Sequence, residues 1–232
     1  MLKHWEQLPE SMQTEAVRPY YERLRKREGA LRRKRLFDLC GSLVLTVLLS
    51  PVMLVIAIAI KAYDGGPVFF VQDRCTINGK VFKIHKFRSM IENAEKDGEV
   101  IPATDDDARI TPVGKIIRKT RLDELPQFFD ILIGNMSVVG PRPERVEHVE
   151  KYVEEVPEFT YRMKVKGGLT GYAQIYGKYN TSAYDKLKLD LMYIQNYSIL
   201  LDLRLILMTV KIMFIKDSTE GFEEIKPSEK KD

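Results

Sequence analysis

"LCGSLVLTVLLSPVMLVIAIAI", residues Leu39 to Ile60, is the stretch on which the fold turns. It holds no charge over about 22 residues, and roughly 20 suffice to cross a bilayer as a straight helix. A helix packed in a soluble core usually keeps a polar face, and this one has none. Two geometries remain, spanning the bilayer or entering and returning. Ser50-Pro51 stands at the midpoint. Pro51 has no N–H to give the Val47 carbonyl and its ring clashes there, so a bend is expected. The Ser50 hydroxyl is placed to satisfy the freed carbonyl locally, which makes the bend tolerable in lipid. Arg32 to Arg35 precede the segment and Lys61 follows it; the stronger upstream cluster sets the N-terminus in the cytoplasm. A straight span would then export the rest of the chain, whereas a re-entrant helix would keep it inside. The residues leave both open, with the proline as the one local argument for dipping.

Upstream, the cations crowd together. Between Arg18 and Arg35 only Glu22 and Glu28 oppose a run of Arg and Lys, although the chain as a whole is only mildly basic, with 37 Lys+Arg against 33 Asp+Glu. Such a leader suits an anionic membrane surface. No secretory signal precedes it, because the first apolar run begins near residue 36 behind charges and no small-residue cleavage site follows. Two cysteines, Cys40 and Cys75, argue against a disulfide framework, and His4, His85 and His148 are too scattered for a His-based metal site.

Downstream, "GPVFFVQDRCTINGKVFKIHKFRSM" reads as a β-hairpin. Phe69, Phe70 and Val71 form one strand and Val81 to Phe87 the other, with Asn78-Gly79 as the turn. A polar stretch from Glu92 to Arg109 containing "KDGE" and Asp105, Asp106 and Asp107 reads as a mobile loop or a short helix plus loop; the acidic run is better explained as a solvated turn than as a metal site. "PVGKIIRKTRL", Pro112 to Leu122, has the spacing of an amphipathic helix with Lys115, Arg118 and Lys119 on its polar face. An apolar helix is expected from Asp123 to Ile133, stopped by Gly134-Asn135. Pro141 and Pro143 fix an extended path around Arg142, and Glu144 to Pro157 reads as a helix. "KVKGGLTGYAQIYGKY" reads as Gly-rich turns without nucleotide-loop spacing, and Tyr184 to Ser198 as a helix. In "SILLDLRLILMTVKIMFI", Ser198 to Ile215, the charges Asp202, Arg204 and Lys211 make spanning costly and favour an interfacial or core-covering helix. The tail from Lys216 is expected to be disordered.

Asp123 and Glu124 stand side by side before the Ile133 helix. Acidic residues are common at helix starts, where free N–H groups and the dipole favour negative charge. The same field would hold Asp123 ionised as a carboxylate nucleophile. Attack on a phosphate would need neighbouring cations or a divalent metal to offset anion repulsion. Lys86, Arg88, Arg118 and Arg142 are suitable residues, but spacing alone does not select them from the other cations.

A resemblance does. "KRLFD", the apolar segment with Ser50-Pro51, "GPVFFVQDR", "KFRSM", "LDELPQ", "MSVVGPRPE", "GLTGYAQ" and "LDLRLILMTV" occur in the order found in the small monotopic phosphoglycosyl transferases, the bacterial sugar transferase family, from about Lys34 to Phe214. The resemblance implies an α+β, mainly helical fold. A re-entrant membrane helix broken at Ser50-Pro51 and amphipathic interfacial helices would surround a small β-hairpin and a catalytic core. It divides the chain into a basic leader (1–35), the membrane helix (36–61), a cytoplasmic catalytic domain (62–215) and a charged tail (216–232). It implies transfer of a phosphosugar from a UDP-sugar to undecaprenyl phosphate with release of UMP, at the cytoplasmic face of the bacterial inner membrane. It makes Asp123 the nucleophile, with Glu124 beside it helping to place Mg²⁺, which the two would hold, or assisting proton transfer. Lys86 and Arg88 would hold the diphosphate and Pro141, Arg142 and Pro143 the nucleotide; Arg118 stays a candidate substrate-binding cation on its residue type alone. A homodimer is compatible with this reading.

The chain departs from the family pattern at Thr76, where Gly is common, at Gly167, where Pro is usual, and at Arg121, where Ser or Thr is common. Larger members carry further N-terminal transmembrane helices, so the expectation is the minimal catalytic form. The competing reading is a non-catalytic, lipid-binding scaffold, which explains the leader but not Asp123-Glu124 and Pro-Arg-Pro. A basic cluster abutting an apolar segment, with no recognised motif, argues against nucleic acid.

Overall fold

The computed structural model describes residues 3–92, 94, 107–177 and 181–213. "KDGE", Asp105, Asp106 and the tail from Lys216 lie outside the described residues. The fold is mainly helical. Helix α1 (Arg18–Lys26) leads into the long α2 (Glu28–Asp64) and then a hairpin of β1 (Phe69–Cys75) and β2 (Val81–Phe87). After α3 (Pro112–Lys119) and α4 (Gln127–Ile133) come β3 (Met136–Val139) and α5 (Val146–Glu155). The chain closes with β4 (Gly167–Thr170), the short α6 (Tyr172–Tyr176), α7 (Ala183–Asn196) and α8 (Ile199–Met213).

The basic leader is built into the molecule. Leu8, Met12, Val17, Tyr21 and Leu24 are buried, and the expected boundary at residue 35 falls inside α2. Helix α2 is one 37-residue element with Pro51 inside it, where a helix-break-helix was expected. The local chemistry at the proline is as anticipated: Ser50 Oγ donates to the Val47 carbonyl at 2.8 Å, the group that Pro51 leaves without its N–H. One stripe of α2 faces the rest of the molecule along most of its length. Lys34, Asp38 and Ser42 are buried in its first half and Met53, Ile56 and Ile60 in its second. The span from Lys34 to Ile60 is about 40 Å of helix. Off that stripe Leu36, Leu43, Val44, Val47, Leu48, Leu54, Val55 and Ile58 are exposed. Among the described residues, α2 alone is long and apolar enough to cross a membrane.

The polar half of the stripe is bound by charge. Lys34 Nζ donates to Asp202 Oδ2 of α8 at 2.6 Å and lies 3.5 Å from Asp38 Oδ1. Asp38 accepts from Ser137 Oγ (2.7 Å) and from the Val138 N–H (3.2 Å) of β3. Asp202 also accepts from Tyr193 Oη at 2.8 Å. The aspartate that makes α8 a poor membrane span is therefore an internal residue, fully buried, and α8 covers the core with Leu205 while Leu200, Leu203 and Leu207 face outward. The apolar half of the stripe packs on Phe87 and Ile117.

The hairpin pairs Phe69 with Phe87 through to Cys75 with Val81, so β1 runs on past Val71. Asn78 (φ 57°) and Gly79 (φ 71°) both take left-handed backbone, and Lys80 N–H closes the turn on the Ile77 carbonyl at 3.2 Å. A second, parallel pair, β3 with β4, was not foreseen: Met136 faces Gly167 and Val139 faces Thr170. Glycine permits that pairing, because a Cβ on Gly168 would stand 2.0 Å from the Gly140 nitrogen.

Candidate active site

Strand β2, the turn before α4 and the loop after β3 converge on one buried charge cluster. Asp123 and Glu124 lie in a 3₁₀ turn, Leu122–Glu124, rather than in the first turn of α4, which starts at Gln127 behind Pro126. The expected helix-start position is thus corrected: the proline ends one turn and starts the next, and the carboxylates sit upstream of the helix proper. Arg121, just before them, holds φ 58°, ψ 14°, a left-handed conformation uncommon for a long side chain. Backbone held in this way clusters at functional sites.

The two carboxylates have different surroundings. Glu124 is clamped: Arg142 Nη2 donates to its Oε1 at 2.5 Å, Arg142 Nη1 lies 3.4 Å from its Oε2, and Lys86 Nζ donates to Oε1 at 2.9 Å. Burial pushes the Glu124 carboxyl up, but Arg142 and Lys86 outweigh it and hold the group well below the usual carboxylate range. Asp123 is equally buried and, among the described residues, its carboxylate makes no hydrogen bond. Burial pushes its pKa up, aided by the negative charge of Glu124; Lys86, Arg118 and Arg121 pull the other way without cancelling the rise. Strong ionisation by a helix dipole is therefore not what this backbone provides.

Lys86 and Arg142 meet Glu124 directly, and the charges of Lys86 and Arg118 act on Asp123. Arg88 does neither. Its guanidinium is buried against Asp64, with Nη1 2.7 Å from Asp64 Oδ2, and Nε donates to the Pro67 carbonyl at 2.7 Å. It fastens the C-terminal end of α2 to the hairpin. Pro141 and Pro143 are buried beside Arg142, and the ring of Pro143 rests on β4, where a Cβ at Gly167 would come within 2.4 Å of Pro143 Cγ.

Several residues that hold the loop were not picked out from the sequence. Arg162 donates to the Arg142 carbonyl at 2.8 Å and to Asp190 Oδ2 at 2.7 Å, both charges being buried. Arg74 donates to the Pro143 carbonyl at 3.1 Å, and the Glu144 carbonyl accepts the Cys75 N–H at 2.9 Å. Lys186 Nζ donates to Glu144 Oε1 at 2.9 Å. Arg74 lies inside "GPVFFVQDR", but Arg162, Asp190 and Lys186 carry no local signal.

Two of the family departures touch each other. Thr76 Oγ1 donates to the Asn135 carbonyl and accepts the buried Gly167 N–H, both at 3.0 Å. A proline at 167 would have no N–H to satisfy; a glycine has one, and Thr76 satisfies it. Thr76→Val is expected to lower stability by about 1–3 kcal/mol, the cost of leaving a buried donor unpaired, read as a shift in the denaturant midpoint at constant m-value.

The acidic pair at the site is Asp123 with Glu124, and among the described residues no group of three or more His, Cys, Asp or Glu is placed to hold a metal. With both Glu124 oxygens engaged, Asp123 offers the free carboxylate. That set fits Mg²⁺ only in its usual substrate-shared form, one or two carboxylates with phosphate oxygens and water supplying the rest.

A family model described as bacterial sugar transferase matches residues 30–216. A Klebsiella pneumoniae protein named UDP-glucose:undecaprenyl-phosphate glucose-1-phosphate transferase is 48% identical over 80% of this chain and 41% of its own length. An Aeromonas hydrophila protein named UDP-N-acetylgalactosamine-undecaprenyl-phosphate N-acetylgalactosaminephosphotransferase is 42% identical over 77% of this chain and 43% of its own. The chain thus spans less than half the length of these two relatives. A Bacillus subtilis protein named uncharacterized sugar transferase EpsL is 37% identical over 81% of this chain and 90% of its own length.

Proposed function

Because the chain belongs to the bacterial sugar transferase family, we propose that it transfers a sugar phosphate from a UDP-sugar to undecaprenyl phosphate and releases UMP. The observation that carries the proposal is the contrast between a buried, unbonded Asp123 and a Glu124 locked to Lys86 and Arg142. A nucleophile must keep its lone pairs free, and Asp123 does. Asp123 Oδ attacks the phosphorus that bears the sugar. The bond from that phosphorus to the bridging oxygen breaks, and UMP leaves with the electron pair. A phosphate oxygen of undecaprenyl phosphate then attacks the aspartyl phosphosugar, forms the diphosphate linkage and returns the Asp123 carboxylate. Lys86, Arg118 and Arg142 lower the repulsion between the anions, and Glu124 fixes the first and last of these cations. Mg²⁺, held by Asp123 and the diphosphate with Glu124 adjacent, would supply further charge neutralisation.

The same reading places the site at the cytoplasmic face of the inner membrane, with α2 dipping and returning. The buried stripe from Lys34 to Ile60 supports it, since a straight span would leave a one-sided domain at one end, whereas α2 meets the same body near both ends. Transfer at the start of glycan assembly follows from the acceptor's being the bare lipid phosphate.

The test is UMP release by protein in nanodiscs supplied with undecaprenyl phosphate, Mg²⁺ and a panel of UDP-sugars. Release with one or a few donors, dependent on the lipid phosphate, is expected. UMP formed equally without lipid phosphate and without a covalent enzyme species would overturn the transfer reading.

A further inference from the structure

A second cationic site lies apart from the Asp123 cluster, at the base of the apolar helix. A cavity of about 380 Å³ opens between the first turns of α2, the hairpin turn and the segment entering β4, and none of its lining residues belongs to the Asp123 cluster. Its walls are partly apolar, from Leu31, Ile77, Val139 and Val165, and partly basic, from Arg32, Arg35 and Lys166; of the two carboxylates on the same wall, Glu28 faces Arg32 and Asp38 is taken by Ser137 and the Val138 N–H. The basic groups differ in how far they are neutralised. Lys34 spends its charge on Asp202, and Arg32 faces Glu28 at 3.5 Å. Arg35 donates to the Ile131 and Leu132 carbonyls at 2.6 and 3.0 Å, which leaves its positive charge without a carboxylate.

Lys166 and Arg35 adjoin: a Cβ at Gly134 would lie 3.6 Å from Lys166 Nζ and 3.2 Å from Arg35 Nη2. The Lys164 ammonium turns elsewhere, to the Met12 carbonyl at 3.4 Å and the rings of Trp5 and Tyr21, none of which lines the cavity. Lys166 makes no hydrogen bond and no ion pair among the described residues. Burying a cation without a counter-ion is unfavourable, and such groups are normally paired. Burial, with the nearby Arg35, pushes the Lys166 ammonium down. A bound anion would offset the charge of Lys166 and of Arg35 together.

We propose that this cavity binds the phosphodiester headgroup of an acidic phospholipid, with Lys166 and Arg35 as its counter-ions and the apolar wall against the glycerol and first acyl carbons. The position argues for lipid over a soluble anion: Leu36, Leu43 and Val44, exposed on α2, begin next to the cavity-lining Lys34 and Arg35, so the cavity sits where headgroups would lie. The inference uses the membrane seating of α2 and not the reaction assigned to Asp123.

The experiment is native mass spectrometry of the full chain released from mixed micelles containing phosphatidylglycerol or phosphatidylcholine. The wild type is expected to retain one phosphatidylglycerol in preference to phosphatidylcholine. Lys166→Gln should hold it about fivefold more weakly, the factor for one headgroup-level lysine, and Lys166→Arg should hold it as the wild type does. Lys166 is only half-buried, so the variant tests charge with little risk to folding. Equal retention of the two lipids, or equal retention by wild type and Lys166→Gln, would overturn the proposal. Displacement by millimolar inorganic phosphate would reassign the site to a free anion, and displacement by undecaprenyl phosphate would make it an acceptor site; either overturns the phospholipid assignment. UMP release, measured on the same samples, reports separately on the transfer reaction.

Discussion

Asp123→Asn is expected to abolish sugar-phosphate transfer, by on the order of 10⁴- to 10⁶-fold, the range seen when a covalent nucleophile is removed. The same variant should be no less stable than the wild type. The sign follows from the burial of Asp123. Its folded-state pKa is raised, so the folded protein holds the proton more tightly than the unfolded chain does. Ionised Asp123 therefore costs stability as pH rises from the ordinary carboxylate range through the raised value, and the neutral amide removes that cost. Loss of turnover with an unchanged or higher melting temperature, and with membrane association intact, is the expected combination. Turnover should also fall toward acid from a higher pH than an ordinary aspartate would give, because only the carboxylate attacks. Wild-type-like UMP release by Asp123→Asn would sink the nucleophile assignment, and a large loss of stability would contradict the surroundings described for it.

The parts of this site that were legible in the sequence are the parts specified locally. Asn78-Gly79 dictates its turn, because both positions need positive φ and few residue pairs accept it. Ser50 and Pro51 imply their own hydrogen bond to Val47, since donor and orphaned acceptor are within one turn. Strands β3 and β4 were hidden for the opposite reason. Met136–Val139 is four residues, all buried, with no alternation, and β4 opens with two glycines whose strand preference is poor. Their pairing depends on close backbone approach at Gly140 and Gly168, a contact between segments 28 residues apart that no local pattern reports. Charges misled where the partner was distant. Lys34 reads as a membrane-flanking cation and Asp202 as a charge that makes spanning costly, yet each is buried because the other is there. Arg88 reads as a phosphate ligand beside Lys86, since positions two apart share a strand face, but β2 ends at Phe87 and Arg88, just past it, meets Asp64 instead. Asp123 and Glu124 were found together by motif; only their surroundings separate the free carboxylate from the bound one.

That separation gives the second large effect. Glu124→Gln is expected to destabilise the protein by about 3–5 kcal/mol, the cost of breaking a buried ion pair from one side. It is the mirror image of Asp123→Asn, although the two residues are adjacent and equally buried. An amide cannot neutralise Arg142 and Lys86, which would then face each other as like charges. Arg142 already lies where its charge depends on Glu124, the largest influence holding its proton on. The pH dependence has the opposite sign as well. The folded pKa of Glu124 is depressed, so its contribution is fully present above the unfolded carboxylate value and is lost as pH falls through the folded one. Because that folded value is well below the ordinary range, the wild type should keep this stabilisation through mildly acidic solution, whereas the glutamine variant has none to lose. Urea midpoints of wild type and variant from neutral pH downward should therefore be far apart at neutrality and converge only in strong acid. Activity should fall too, through misplacement of Lys86 and Arg142, and a second substitution that removes one of the stranded cations should recover part of the stability but not the turnover. If Glu124→Gln matched the wild type in stability at neutral pH, the clamp would not be holding these cations, and the division of labour between the two carboxylates would have to be abandoned.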